Sequence, residues 1–144
     1  MMTETTLMAL KGKEQKEQKR LYDASHVTQS GEDYLETILM LQKKKGMVRS
    51  ADLARHMGFS KPSICHAVKV LKQGGFLTMD GDGCLHLTDV GRKVAESIYE
   101  KHQFFTDSLI EMGVDPKQAE ADACRIEHVI SEESFQKLKE AKGR

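Results

Sequence analysis

The sequence predicts a mainly α fold, an N-terminal winged helix-turn-helix followed by a second, helical domain. Three observations carry that reading. Two short amphipathic helices joined through Gly58 follow a longer one. A hairpin signal, Asp80-Gly81-Asp82-Gly83, comes next. The remainder repeats apolar residues at helical spacing, interrupted by Gly113 and Pro116.

Taken in order, residues 1–28 read as a mobile polar arm, because Lys11 to Arg20 carries five bases, two acids and no apolar side chain. Ser30 is placed to cap the first helix, with Asp33 in a capping-box-like position and Tyr34, Leu35, Ile38, Leu39 and Leu41 as its apolar face, ending near Gly46. Ser50 is the expected cap of a second helix over 51–57, which Gly58 terminates. Ser60 caps a third, whose first turn tolerates Pro62 and whose Ile64, Ala67, Val68 and Leu71 face a core before Gly74-Gly75 stop it. Segments 76–79 and 84–87 are the strands of the wing. Thr88 caps a long fourth helix to about Met112, a fifth is expected over about 117–130, and Ser131 begins a short sixth. The boundaries drawn are 29–95 for the winged domain and 96–144 for the helical one.

A chain of 144 residues has room for one compact domain, or a small domain plus an oligomerisation segment. It lacks the roughly 18 uninterrupted apolar residues of a membrane helix and the features of a signal peptide, so a cytoplasmic protein without a membrane partner is expected. Three cysteines, Cys65, Cys84 and Cys124, form no disulfide framework and are expected to be reduced thiols. Net charge is zero, yet unevenly spread. Five bases face one acid between Met47 and Met79, and eleven acids face five bases between Glu96 and Glu140. A basic half suits a polyanion; an acidic half suits cations or a protein partner.

The third helix leaves Lys61, Ser63, His66 and Lys69 off its core face, with Ser60 and Pro62 at its start and Arg49 just ahead of the second helix. Hydroxyls and an imidazole able to reach base edges, flanked by lysines for phosphates, are what a helix in the major groove of double-stranded DNA requires. The ordinary alternative is an amphipathic helix with solvated lysines. In the acidic half, Glu120, Cys124, Glu127 and His128 are spaced by four, three and one, which puts two carboxylates, a thiol and an imidazole on one side of a helix. His102 lies on the helix before, and Asp33 and Glu36 form another helical pair. Mixed O, N and S donors suit a divalent transition metal better than Ca²⁺ or Mg²⁺. Singly, Cys124 reads as a small buried hydrophobe and each histidine as a satisfied polar residue. No oxyanion hole or phosphate-cradling loop accompanies them, so no enzyme is expected.

Glu32-Asp-Tyr-Leu-Glu-Thr-Ile38, Ser60-Lys-Pro-Ser63, Leu87-Thr-Asp-Val-Gly91, Lys101-His102 and Ala123-Cys-Arg-Ile-Glu-His-Val129 occur in the order and spacing that resemble the diphtheria-toxin-repressor family of iron- and manganese-dependent regulators, over about residues 30–140. The resemblance implies a homodimer, without the SH3-like domain of larger members, that binds palindromic operators when loaded with Mn²⁺ or Fe²⁺, which Zn²⁺, Co²⁺ or Ni²⁺ can replace, and so represses metal-homeostasis genes. It assigns Asp33, Cys124, Glu127 and His128 as ligands, adds Glu36 and His102 as in some branches, and links the first, fourth and fifth helices through the ion. Asp33 resembles manganese regulators and Cys124 iron regulators. Thr106 stands where iron-type members place a carboxylate, for which Glu120 is a substitute. A metal-independent winged-helix regulator and a protein holding a structural zinc are the competing readings.

Overall fold

A computed structural model describes residues 27–143, and the chain divides into two compact units, one ending at Ala95 and the other beginning at Glu96. The basic run Lys11–Arg20 of the expected arm lies outside the described residues.

In the first unit, α1 (Gln29–Lys45) is capped by Thr28, whose extended backbone lets its Oγ1 accept from Gly31 N at 3.0 Å. Ser30, the expected cap, is already inside the first turn. The apolar stripe is as expected: Tyr34, Leu35, Ile38, Leu39 and Leu41 are all buried, and Gly46 ends the helix at φ 87°. The second helix, α2 (Ser50–Met57), has Arg49 at its N-cap in place of the expected Ser50. Capping there comes from within the helix, where the Asp52 carboxylate accepts from Arg49 N at 2.8 Å. Gly58 closes α2 in the left-handed conformation, φ 72°, which an L side chain adopts only with strain. Ser60 caps α3 (Lys61–Gln73) as expected, accepting from Ser63 N at 3.3 Å.

The wing is an antiparallel pair, β1 (Leu77–Met79) and β2 (Leu85–Leu87), in the register Leu77↔Leu87, Thr78↔His86 and Met79↔Leu85. One side chain closes its turn. Asp80 Oδ1 accepts from Asp82 N at 2.9 Å and Cys84 N at 3.0 Å, while Oδ2 meets His86 Nε2 at 2.9 Å. The His86 hydrogen bond and these N–H groups hold the Asp80 carboxyl below the usual range. A bridge between Arg49 and Cys84, with Leu85 N donating to Val48 O at 2.7 Å, ties the lead-in to α2 onto the wing. Apolar alternation around this frame buries Val48, Leu53, Ile64, Val68, Leu71, Phe76, Leu77 and Leu85.

Thr88 caps α4 (Asp89–Glu111): its Oγ1 accepts from Gly91 N at 3.1 Å and donates to Gly75 O at 2.7 Å. In the second unit α4 continues from Glu96, followed by α5 (Pro116–Val129) and α6 (Glu132–Lys142). Pro116, expected as a breaker, opens α5, since its missing N–H costs nothing in a first turn and Asp115 caps the next two amides. Phe105, Ala123 and Phe135 form the core, with Phe104, Ile126 and Ile130 packed against it. Lys139 to Glu100 at 2.5 Å, Lys142 to Glu111 at 3.5 Å and Lys101 to Glu132 at 3.3 Å fasten α6 along α4. Among the described residues, no helix is long and apolar enough to cross a membrane.

Two outcomes follow from this packing. A Cβ at Gly91 would lie 2.1 Å from the backbone oxygen of Phe76, an overlap that no side-chain rotation relieves. Gly91→Ala is therefore expected to cost on the order of 1–3 kcal/mol or more, read as a lower urea midpoint by circular dichroism. The Lys45 hydrogen bond and the Arg49 N–H hold the Asp52 carboxyl below its ordinary value. A depressed folded value means its stabilisation is complete above the unfolded pKa, about 4, and vanishes as pH falls through the folded one. The urea midpoint should therefore drop more steeply below pH 4 or so in the wild type than in Asp52→Asn.

Candidate metal centre

The second unit's core sets the geometry of the acidic segment. Ala123 and Ile126 face the phenylalanine cluster, so the 3.6-residue period carries Glu127 inward and leaves Glu120 and Cys124 exposed beside it. His102, 9% exposed, meets them from α4. Its Nδ1 lies 2.8 Å from Glu127 Oε1 and 3.8 Å from Cys124 Sγ. One donor atom from each of His102, Cys124 and Glu127 falls within 4.8 Å of the others. Glu120 Oε2 stands 3.7 Å from the other ring nitrogen, Nε2.

Glu127 is 1% exposed, and its Oε2 is a buried acceptor without a hydrogen-bond donor. His128 Nε2 lies 3.3 Å from that atom, inside ion-pair reach but outside hydrogen-bond geometry. A buried carboxylate oxygen left in this condition costs free energy that a cation at the same place offsets. Imidazole nitrogen, thiol sulfur and carboxylate oxygen at these distances are a donor set for a first-row transition metal. Thr106 Oγ1, one turn beyond His102 on α4, is a second buried polar atom without a partner among the described residues.

Of the residues singled out in the sequence, His102, Cys124 and Glu127 are brought together, with Glu120 and His128 next to them. Cys124 is exposed, which removes its reading as a small buried hydrophobe. Asp33 and Glu36 belong to the first unit, on α1, Glu36 buried and Asp33 partly so. Burial, with the neighbouring Asp33 carboxylate, raises the pKa of Tyr34 between them. On α5, Arg125 and Gln118 hold the Asp122 carboxyl low.

On α3, Lys61, Pro62, Ser63, His66 and Lys69 are exposed while Ile64, Val68 and Leu71 are buried. Ser60 Oγ donates to Ser63 Oγ at 3.0 Å, and Arg49 is exposed at the entry to α2. The sequence reading missed two organising side chains, Asp52 and Lys101. Asp52 had a signal, an acid three residues after the N-cap. The burial of Lys101 beside the Phe135 ring, 5.7 Å from its centroid, had none.

A winged helix-turn-helix joined to a helical unit with a mixed-donor cluster defines a class of ligand-responsive DNA-binding folds. The chain belongs to the iron-dependent repressor family: residues 26–85 match its N-terminal DNA binding domain and residues 88–144 its metal binding and dimerisation domain. It is 35% identical over 104 residues to the transcriptional regulator MntR of Escherichia coli O6:H1, covering 72% of this chain and 67% of the relative. An uncharacterized HTH-type transcriptional regulator of Methanocaldococcus jannaschii is 30% identical over 78% of this chain and 92% of its own length. The crystal structure of T. acidophilum IdeR matches with a TM-score of 0.67 at 27% identity, and the manganese regulator SloR shares the fold with a TM-score of 0.70 at 24%. Each of these matches covers 78% of this chain, which spans about half the length of those two solved relatives, 54% and 53%.

The orphaned oxygen gives the cluster a distinctive test. Glu127→Gln removes a buried charge whose Oε2 has no hydrogen-bond donor, so the metal-free protein should keep its melting temperature or gain. The wild type should be stabilised by about 2.7 kcal/mol at free Mn²⁺ a hundredfold above Kd, and the variant by much less. Differential scanning fluorimetry with and without the ion reads both arms.

Proposed function

We propose that the chain is a metal-dependent transcriptional repressor of metal-homeostasis genes, a homodimer that binds palindromic double-stranded DNA operators with Mn²⁺ or Fe²⁺ as corepressor. The observation that carries this is the buried Glu127 oxygen without a donor, set against an imidazole and a thiol, in a chain whose other unit is a winged helix-turn-helix. His102, Cys124, Glu127 and His128 are the ligands supported by their placement in the second unit. Asp33 and Glu36 join them on the strength of the resemblance. Glu120 faces Nε2 while Cys124 and Glu127 face Nδ1. One ring nitrogen coordinates and the other donates, so Glu120 orients the ring through Nε2–H.

The bound ion supplies a positive charge that gathers these donors. A corepressor acts only through its differential affinity for the DNA-competent state. DNA is read by α3, with Ser60, Pro62, Ser63 and His66 toward base edges and Arg49, Lys61 and Lys69 toward phosphates. Ile110, Met112, Val129 and Leu138, exposed on the second unit, are the apolar surface for a second copy. Cys124 favours a structural zinc as the second reading, since thiolate and affinity order both select Zn²⁺ over Mn²⁺.

The test is anaerobic fluorescence anisotropy on duplexes selected from a random pool by the metal-loaded protein. Binding should rise saturably with Mn²⁺ or Fe²⁺ and reverse on chelation. Equal binding in chelator identifies a metal-blind regulator, and zinc that resists chelation without altering DNA affinity identifies a structural site. Lys61→Ala and Lys69→Ala should each lower the slope of log K against log salt by about one unit. Ser63→Ala should change base preference with little change in slope.

A further inference from the structure

The first unit carries a concavity of about 350 Å³ lined by Lys45, Met47, Arg49, Ala51, Asp52 and Arg55. Its cations come from three places along the chain: the last turn of α1, the extended lead-in to α2, and α2 itself. One carboxylate organises them. Asp52 Oδ1 lies 2.6 Å from Lys45 Nζ and 2.5 Å from Arg55 Nη2, and its Oδ2 accepts from the Arg49 amide. Two long flexible side chains are thereby held in place, at less entropic cost to a ligand than two free ones. The Lys45 and Arg55 side chains remain 46% and 70% exposed, so the ion pairs do not bury the positive charge. Counted together, three cations against one anion leave a net charge of +2, and Lys43 and Lys44 extend the positive field along α1.

A solvent-open concavity with three cations on its lining fits a singly charged tetrahedral anion. In a helix-turn-helix the second helix enters the major groove while the first crosses the sugar-phosphate backbone. The concavity lies at the N-terminal turn of that first helix, α2, in the same unit as α3. We propose that Lys45, Arg49 and Arg55, positioned by Asp52, form a seat for a backbone phosphate of duplex DNA, outside the base pairs that α3 reads. This rests on the DNA-binding reading above and assigns Lys45, Arg55 and Asp52 a part in it. The seat is blind to sequence, because a phosphodiester is the same at every step.

The experiment compares wild type, Lys45→Gln/Arg55→Gln and Asp52→Asn on a selected operator and on a random 24-base-pair duplex across a salt series. The double variant should lose about one unit of salt slope on both duplexes, with the affinity ratio between them unchanged. Asp52→Asn keeps all three cations and removes the competing carboxylate, so it should bind the random duplex severalfold more tightly at low salt. Wild-type slope and affinity in the double variant on both duplexes would overturn the proposal. So would an Asp52→Asn protein that loses DNA affinity in step with its urea midpoint, since the cluster is then only a helix cap. Binding that ignores metal in the wild type, with one unit of slope still lost in the double variant, would overturn the metal reading and leave the seat standing.

Discussion

The carboxylate of Glu127 is the constraint on which the second unit turns. Packing of Phe105, Ala123 and Phe135 fixes the rotation of α5 against α4, and that rotation buries Glu127 against His102. One of its oxygens is satisfied by the ring and the other is not. A hydrophobic core thus places a carboxylate where N–H donors are few. Buried carboxylates are costly unless paired, and here both oxygens lie within ion-pair reach of imidazole nitrogens, Oε1 of His102 and Oε2 of His128.

Carboxylates play the opposite part in the first unit. Asp52 and Asp80 are both fully engaged, each accepting backbone amides as well as a basic side chain, and their acidities are raised accordingly. Asp80 shapes the hairpin turn, and Asp52 caps α2 while tying down two cations. The same functional group is therefore fully hydrogen-bonded in one unit and only half so in the other, and the difference is the supply of N–H donors.

The donor set also frames metal choice. Cys124 is exposed at the rim of the cluster, while Glu127 is sealed inside it. An ion held there would meet a soft sulfur on its open side and a hard oxygen within, which widens the range of metals accommodated relative to an all-oxygen and nitrogen site. Selection among them would then rest on geometry and supply.

The sequence alone determined the order of elements and the apolar face of each helix, because helical periodicity and glycine at Gly46 and Gly58 are local signals. It also put Glu120, Cys124, Glu127 and His128 on adjoining faces of one helix, since spacings of four, three and one do so whatever surrounds it. Caps were less legible: Thr28 and Arg49 replace Ser30 and Ser50, because a hydroxyl caps only where the backbone leaves the helix, and tertiary packing decides that residue. Tertiary structure alone decided which donors are buried. It left Glu127 Oε2 without a hydrogen-bond donor, put Cys124 at the surface, and drew Lys45, Asp52 and Arg55 into one concavity. These depend on contacts between residues distant along the chain, such as His102 with Glu127, and no local pattern encodes the distance between two helices.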